Sequence, residues 1–169
     1  MRGSRIPDAK WASEEKPKQP LGSVPTLDID GARYCQSQAL ARYCAGLNGN
    51  HSLYPDGLDR LRVDEIMCTL DEIYATIPKL PDAEAKKKAR REFQDNAMKR
   101  AMTLIDTRLG SHSSTSLTIA DLFLHNIVRA VQSNSWDYVD TTYFDGYTHI
   151  MATVERVRNH PKIIAFYRK

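Results

Sequence analysis

"PLGSVPTLDIDGARYCQSQALARY", residues 20–43, is the stretch on which the fold turns. Val24, Leu27 and Ile29 are the apolar positions of an alternating run, and alternation at period two marks a half-buried strand. Asp30-Gly31 comes next, a pair suited to a two-residue hairpin turn because both positions tolerate positive φ. "ARYCQ" is then the returning strand, and Ser37 is placed to cap a helix running to about Ala45. Pro25 can simply block edge pairing at the mouth of the strand. A cis bond at Val24-Pro25 would do more, aiming the Val24 N–H and C=O outward for pairing with an extended peptide. Gln36-Ser37 is open to two uses as well. It can serve as a helix cap, or as a carboxylate site built from the free amides and positive dipole end of a helix. Combined, the sharper uses describe one pocket, a strand-like groove beside an anion-binding helix start, suited to a short peptide with a free carboxylate.

Outward from this stretch the chain is helical. Upstream, residues 1–22 are polar and interrupted by Pro7, Pro17 and Pro20, with one short helix expected from Asp8 to Glu15. Downstream, Leu58, Leu61, Ile66, Leu70, Ile73 and Ile77 recur at helical spacing, and Pro78 and Pro81 end that helix. A second long helix is expected from about Asp82 to Leu109, with Phe93, Ala97, Ala101, Leu104 and Ile105 on one face and Gly110 as its stop. In "LTIADLFLHNIVRAV", residues 117–131, Thr118 and Asp121 have the spacing of a capping box, and Leu117 and Leu122 that of a hydrophobic staple. This helix is apolar nearly all round and should be the central one. A further helix is expected over about Tyr143 to Arg158, and a short one after Pro161. The chain therefore reads as mostly α: a small α/β part over residues 1–46, a linker over 47–57 and an all-helical domain over 58–169.

With 41% hydrophobic and 27% charged residues, the 169-residue chain can build a real core. It has no apolar run of membrane-spanning length and no signal-peptide pattern, so a cytoplasmic location is the default and no membrane partner is expected. Cys35, Cys44 and Cys68 are an odd count without metal-like spacing, which predicts free buried or half-buried thiols and no metal. Net charge is only +3. The run "KKKARR", residues 86–91, is flanked by Asp82, Glu84, Glu92 and Asp95 and reads as a solvated helix face, so no nucleic-acid partner is expected. Asn50-His51-Ser52 is a formal glycosylation sequon, of no expected use without a secretory signal.

"VPTLDIDG", "QSQALARY" and "SLTIADLFL" together resemble the glutathione transferases, in particular the sigma-like branch that includes the haematopoietic prostaglandin D synthases. "RIPDAKW" ahead of "KPKQPLGSVP" is also similar to that branch, and the likeness runs from about Arg5 to the C-terminal "NHPKIIAFYRK". The resemblance implies a truncated thioredoxin-like fragment, one β-hairpin plus helices, followed by the family's all-helical C-terminal domain. It implies that the Val24 backbone pairs with the cysteinyl part of glutathione, that Pro25 holds the geometry, and that Gln36 and Ser37 take the γ-glutamyl carboxylate. Trp11 and Lys16 look like the contacts to the glycyl end, although their separation is one residue longer than the sigma pattern. Asp71 or, as the better match, Glu72 of the partner subunit would reach the γ-glutamyl amine, which goes with a homodimer through the two long helices. Tyr74 and Ile77 would line the electrophile pocket, and either could equally be core. The implied activity is attack of the glutathione thiolate on a small hydrophobic electrophile, in detoxification or in prostanoid isomerisation, with glutathione as substrate.

One departure bears on that activity. In the sigma-like branch a tyrosine on the first strand donates a hydrogen bond to the sulfur and so favours the thiolate. The resemblance begins near the end of the family's second strand, so the opening strand–helix–strand unit and its tyrosine have no counterpart here. Tyr34 and Tyr43 fall on a strand and a helix away from the pocket, and only Ser23 or Ser4 could stand in as sulfur donors. No catalytic residue is therefore assigned. The expectation is weak or absent turnover and weak glutathione binding. The alternative is a non-catalytic transferase-like module for dimerisation or protein binding, in which residues 24–30 present an open strand edge.

Overall fold

The computed structural model describes residues 8–49, 51–112 and 116–168. Ser4, Arg5, Pro7 and Asn50, named above, lie outside them. Contacts divide the chain between His51 and Ser52 into two compact units.

In the first unit, α1 (Asp8–Lys10) continues into a wide turn at Trp11–Glu15 and a tight one at Lys16–Lys18. Strands β1 (Thr26–Ile29) and β2 (Ala32–Cys35) pair antiparallel, with Leu27 opposite Tyr34 and Ile29 opposite Ala32. Asp30 and Gly31 make the turn at φ 49° and 81°, the doubly positive geometry that matches the right-handed twist of a hairpin. Helix α2 (Ser37–Gly46) follows. Its cap position is Gln36, not Ser37: the Gln36 carbonyl accepts the first helical bond from the Leu40 amide at 3.0 Å, so Ser37 is already inside the helix. Leu27, Ile29 and Tyr34 of the hairpin and Ala39, Leu40 and Tyr43 of α2 enclose an apolar cavity of about 300 Å³. Tyr34 and Tyr43 are half exposed there.

The second unit is helical. It comprises α3 (Gly57–Thr76), α4 (Ala83–Phe93), α5 (Lys99–Gly110), α6 (Ile119–Gln132), α7 (Thr148–Arg158) and α8 (Pro161–Tyr167). As its all-round apolarity predicts, α6 is central, packed on α3 and α7 with Leu124, Val128 and Val131 fully buried. Both arms of its capping box are present, and the Thr118 N–H donates to Asp121 Oδ2 at 2.7 Å. Met67 and Leu70 of α3, Met102 and Ile105 of α5, and Ile150, Val154 and Val157 of α7 complete the core around Phe144.

Several sequence expectations are corrected here. Leu58, in the first turn of α3, and Leu61, on the side opposite Leu70, are exposed, and Val63 and Met67 take the inner positions instead. The helix expected from Asp82 to Leu109 is interrupted by one wide turn, Gln94–Met98, in which the Lys99 amide reaches back five residues to the Gln94 carbonyl. The extra residue rotates everything after it. Met98 and Met102 therefore face the core, while Ala97 and Ala101 are only half-buried and Leu104 is exposed.

Residues 143–146 are turns, and α7 starts at Thr148. Its opening amides, those of His149 and Ile150, both donate to Asp106 Oδ1 of α5 at 2.9 Å. The basic run is not wholly solvated either. Arg90 is buried and donates to the Pro78 carbonyl at 3.0 Å, to the Asp137 carbonyl at 2.8 Å and to the Asp137 carboxylate, which Lys86 also meets at 2.8 Å. All three cysteines are free, but Cys44 and Cys68 are exposed and only Cys35 is half-buried. Among the described residues no helix is long and apolar enough to cross a membrane.

Candidate functional site

The hairpin register brings the first cluster together. Because Thr26 pairs with Cys35, Val24-Pro25 entering β1 and Gln36-Ser37 leaving β2 lie at the same end of the hairpin. The Val24–Pro25 peptide is cis, and Val24 is 62% exposed. Gln36 holds φ 77° and ψ 105°, a conformation that costs a side-chain-bearing residue on the order of 1–3 kcal/mol. Such backbones persist where a site over-determines them. Ser37 follows as the exposed first residue of a ten-residue helix whose first amides have no partner within the helix.

The segment carrying Trp11 and Lys16 is fastened to this hairpin. Arg33 of β2 clamps Asp28 of β1 through two bonds of 2.6 and 2.7 Å, and its Nη1 donates to the Lys18 carbonyl at 3.0 Å. The guanidinium holds the Asp28 carboxyl below its ordinary range, chiefly through those bonds. Gln19 adds a second tie, donating to the Glu15 carbonyl at 3.1 Å and accepting from the Thr26 hydroxyl at 2.9 Å. Lys16 is exposed, with its stem against Gly22, where a Cβ would come within 3.3 Å of Lys16 Cε. Trp11 is half-buried. Neither Arg33 nor Gln19 stands out in the sequence, because their roles depend on partners 4 to 15 residues away.

The remaining candidates belong to the second unit. Asp71 and Glu72 are exposed on α3. Tyr74 is 56% exposed, tilted against Trp136 at 6.2 Å, with Lys79 Nζ 5.8 Å from its ring centre. Ile77 is buried in the core. Thr118 and Asp121 stand as the structural cap of α6. Burial raises the Asp121 carboxyl above its ordinary value, against the opposing pull of the Thr118 hydrogen bonds and Arg156. Ser23 is exposed.

A model of the glutathione S-transferase C-terminal domain matches residues 70–169. The chain belongs to the glutathione S-transferases. The chicken haematopoietic prostaglandin D synthase is 29% identical over 176 residues, covering 98% of this chain and 81% of that protein. The structure of prostaglandin synthase D of Nilaparvata lugens matches with a TM-score of 0.83 at 25% identity, over 99% of this chain and 83% of that one. A hookworm transferase from Necator americanus, described as monomeric, matches at 0.77 and 24% identity, over 97% and 82%. Through these relatives the chain is similar to the prostaglandin D synthase-like, sigma-class branch. They identify its two parts as a thioredoxin-like fragment and a helical C-terminal domain.

Proposed function

We propose that this chain holds glutathione along Val24 and at the start of α2, and that its chemistry is transfer of the glutathione thiolate to a small hydrophobic electrophile. The observation that carries the reading is the strained Gln36 backbone at the head of α2, beside the exposed Val24 at the same hairpin end. The Val24 backbone would pair with the cysteinyl part, Gln36 and Ser37 would take the γ-glutamyl carboxylate, and Trp11 and Lys16 would meet the glycyl end. Glu72 of the partner subunit, or less favourably Asp71, would receive the γ-glutamyl amine. Among the electrophile contacts Tyr74 is the better candidate, since it is exposed and Ile77 is not. Homodimerisation through α3 and the α4–α5 helix is part of the proposal. Leu58, Leu61 and Glu72 share the side of α3 that faces away from the core, which supports it. A cytoplasmic role in detoxification or prostanoid isomerisation is the corresponding biological setting.

Among the described residues no tyrosine occupies the hairpin end that holds these groups, and a thiolate needs a donor. Weak turnover and weak glutathione affinity are therefore expected of the 169 residues by themselves. Calorimetry with glutathione tests the site. Saturable binding that weakens in Gln36→Ala supports it, and no heat of binding at millimolar glutathione refutes it. A second reading, a non-catalytic dimerisation or protein-binding module, is favoured by the two-stranded sheet, whose β1 edge has no strand partner among the described residues. Glutathione-dependent turnover of a chromogenic electrophile, lost in Gln36→Ala, would eliminate that module.

A further inference from the structure

On the second unit, α6, α7 and α8 border an open cavity of about 380 Å³ lined by His125, Arg129, Arg158, Ile163 and Tyr167. His125 and Arg129 stand one turn apart on α6, so their side chains share a face. Only 7% of His125 is exposed, yet among the described residues its imidazole makes no hydrogen bond, which is unusual for a buried polar group. No side-chain nitrogen or oxygen among the described residues is fully sealed from solvent without a partner, so the imidazole nitrogens keep access to solvent, and His125 lines the cavity. Two guanidiniums flank it. Arg129 Nη1 donates to the Tyr167 hydroxyl at 3.2 Å. Arg158 donates to Glu155 at 2.7 Å and to Gln132 at 2.6 Å, which fixes its fork beside the cavity.

The charges around the imidazole are thus Arg129 from α6, Arg158 and Glu155 from α7, and the phenol of Tyr167 from α8. Glu155 is the one acid among them, and it is already engaged by Arg158. Burial first, then Arg158 and Arg129, hold His125 below its ordinary pKa, with Glu155 opposing. The ring has no hydrogen-bond partner among the described residues, each guanidinium keeps N–H donors beyond the bonds just given, and an oxyanion would accept from all three groups at once.

We propose that this cavity is a binding site for a small soluble oxyanion of the phosphate or sulfate type, received by Arg129, Arg158 and His125 and separate from any glutathione chemistry. The ligand joins the guanidiniums by charge-assisted bonds and takes a proton from solvent onto His125, so its affinity rises as pH falls through the His125 titration. Inorganic phosphate is the probe, added to the full chain at constant ionic strength while the His125 ring signals are followed by NMR across pH. The expected result is a saturable shift, with the His125 pKa raised by about one unit or more. Affinity should fall about tenfold in Arg129→Gln, an exposed position whose loss leaves the core intact. Shifts that chloride reproduces, or unchanged phosphate affinity in Arg129→Gln, overturn the site. Capture by phosphatidic-acid vesicles without any response to free phosphate overturns it as well.

Discussion

At the scale of single residues, position in the fold changes what a side chain's chemistry is worth. Asp121 sits at the start of α6, where a carboxylate is favoured by the free amides, but the same place is buried. Its carboxyl is raised, with desolvation as the largest cause. A raised folded-state value means that the folded chain holds the proton to higher pH than the unfolded chain does. Asp121 therefore contributes stability that is fully present below the ordinary carboxylate value of 3.8 and is lost as pH rises through its folded value. Asp121→Asn, which does not titrate, should lack this dependence. Urea titrations between pH 3 and 7 should show the wild type losing stability relative to the variant as pH rises, and a constant difference would contradict the assignment. Arg90 makes a related point. In sequence it is one of six residues in a basic run, and its burial follows from carbonyls and a carboxylate up to 47 residues away.

At the scale of elements, the long helix over residues 83–110 shows where periodicity stops being a guide. Counting every third or fourth residue from Phe93 leads to Ala97, Ala101 and Leu104. One inserted residue in the wide turn brings Met98 and Met102 into the buried set, alongside Ile105, which the sequence pattern itself places on the inner face. Met98→Ala should cost about 2–5 kcal/mol, the range for emptying a buried site, while Leu104→Ala should cost under about 1 kcal/mol. Denaturant midpoints of the two variants check the register, and equal losses would restore the uninterrupted helix. The start of α7 is set by a neighbour in the same way. No local side chain caps it, and Asp106 of α5 accepts two of its amides. Asp106→Ala should cost about 1 kcal/mol, with Asp106→Asn retaining much of it, measured by thermal unfolding. Unchanged melting in the alanine variant would show that solvent serves those amides equally well.

At the scale of the whole molecule, the proposed homodimer has a direct readout. The chain mass is 19.2 kDa, so light scattering should return twice that value at micromolar concentration. Leu61→Glu, on the exposed side of α3, should return the single-chain mass. A single-chain mass for the unaltered protein would remove the dimer, and with it the role of Glu72 of the partner subunit. The hairpin raises a separate issue of scale. Two strands with one helix against them bury little apolar surface, and isolated hairpins are marginal. The ties from Arg33 and Gln19 to residues 15–18 are what hold the Trp11–Lys18 segment to it.

The sequence by itself determined the hairpin at Asp30-Gly31, the capped and buried α6 and the pairing of Val24-Pro25 with Gln36-Ser37. The first two rest on residues within a few positions of one another, and the third on a hairpin whose turn is local and whose register carries residues twelve positions apart to one end, so local steric and hydrogen-bonding rules suffice. Only the tertiary structure decided the inner face after the wide turn, the true start of α7, the burial of Arg90 and the unpaired His125 between Arg129 and Arg158. Those outcomes depend on acceptors, cations and packing surfaces brought from distant segments. A linear pattern records the side chains but not which of them will share a space.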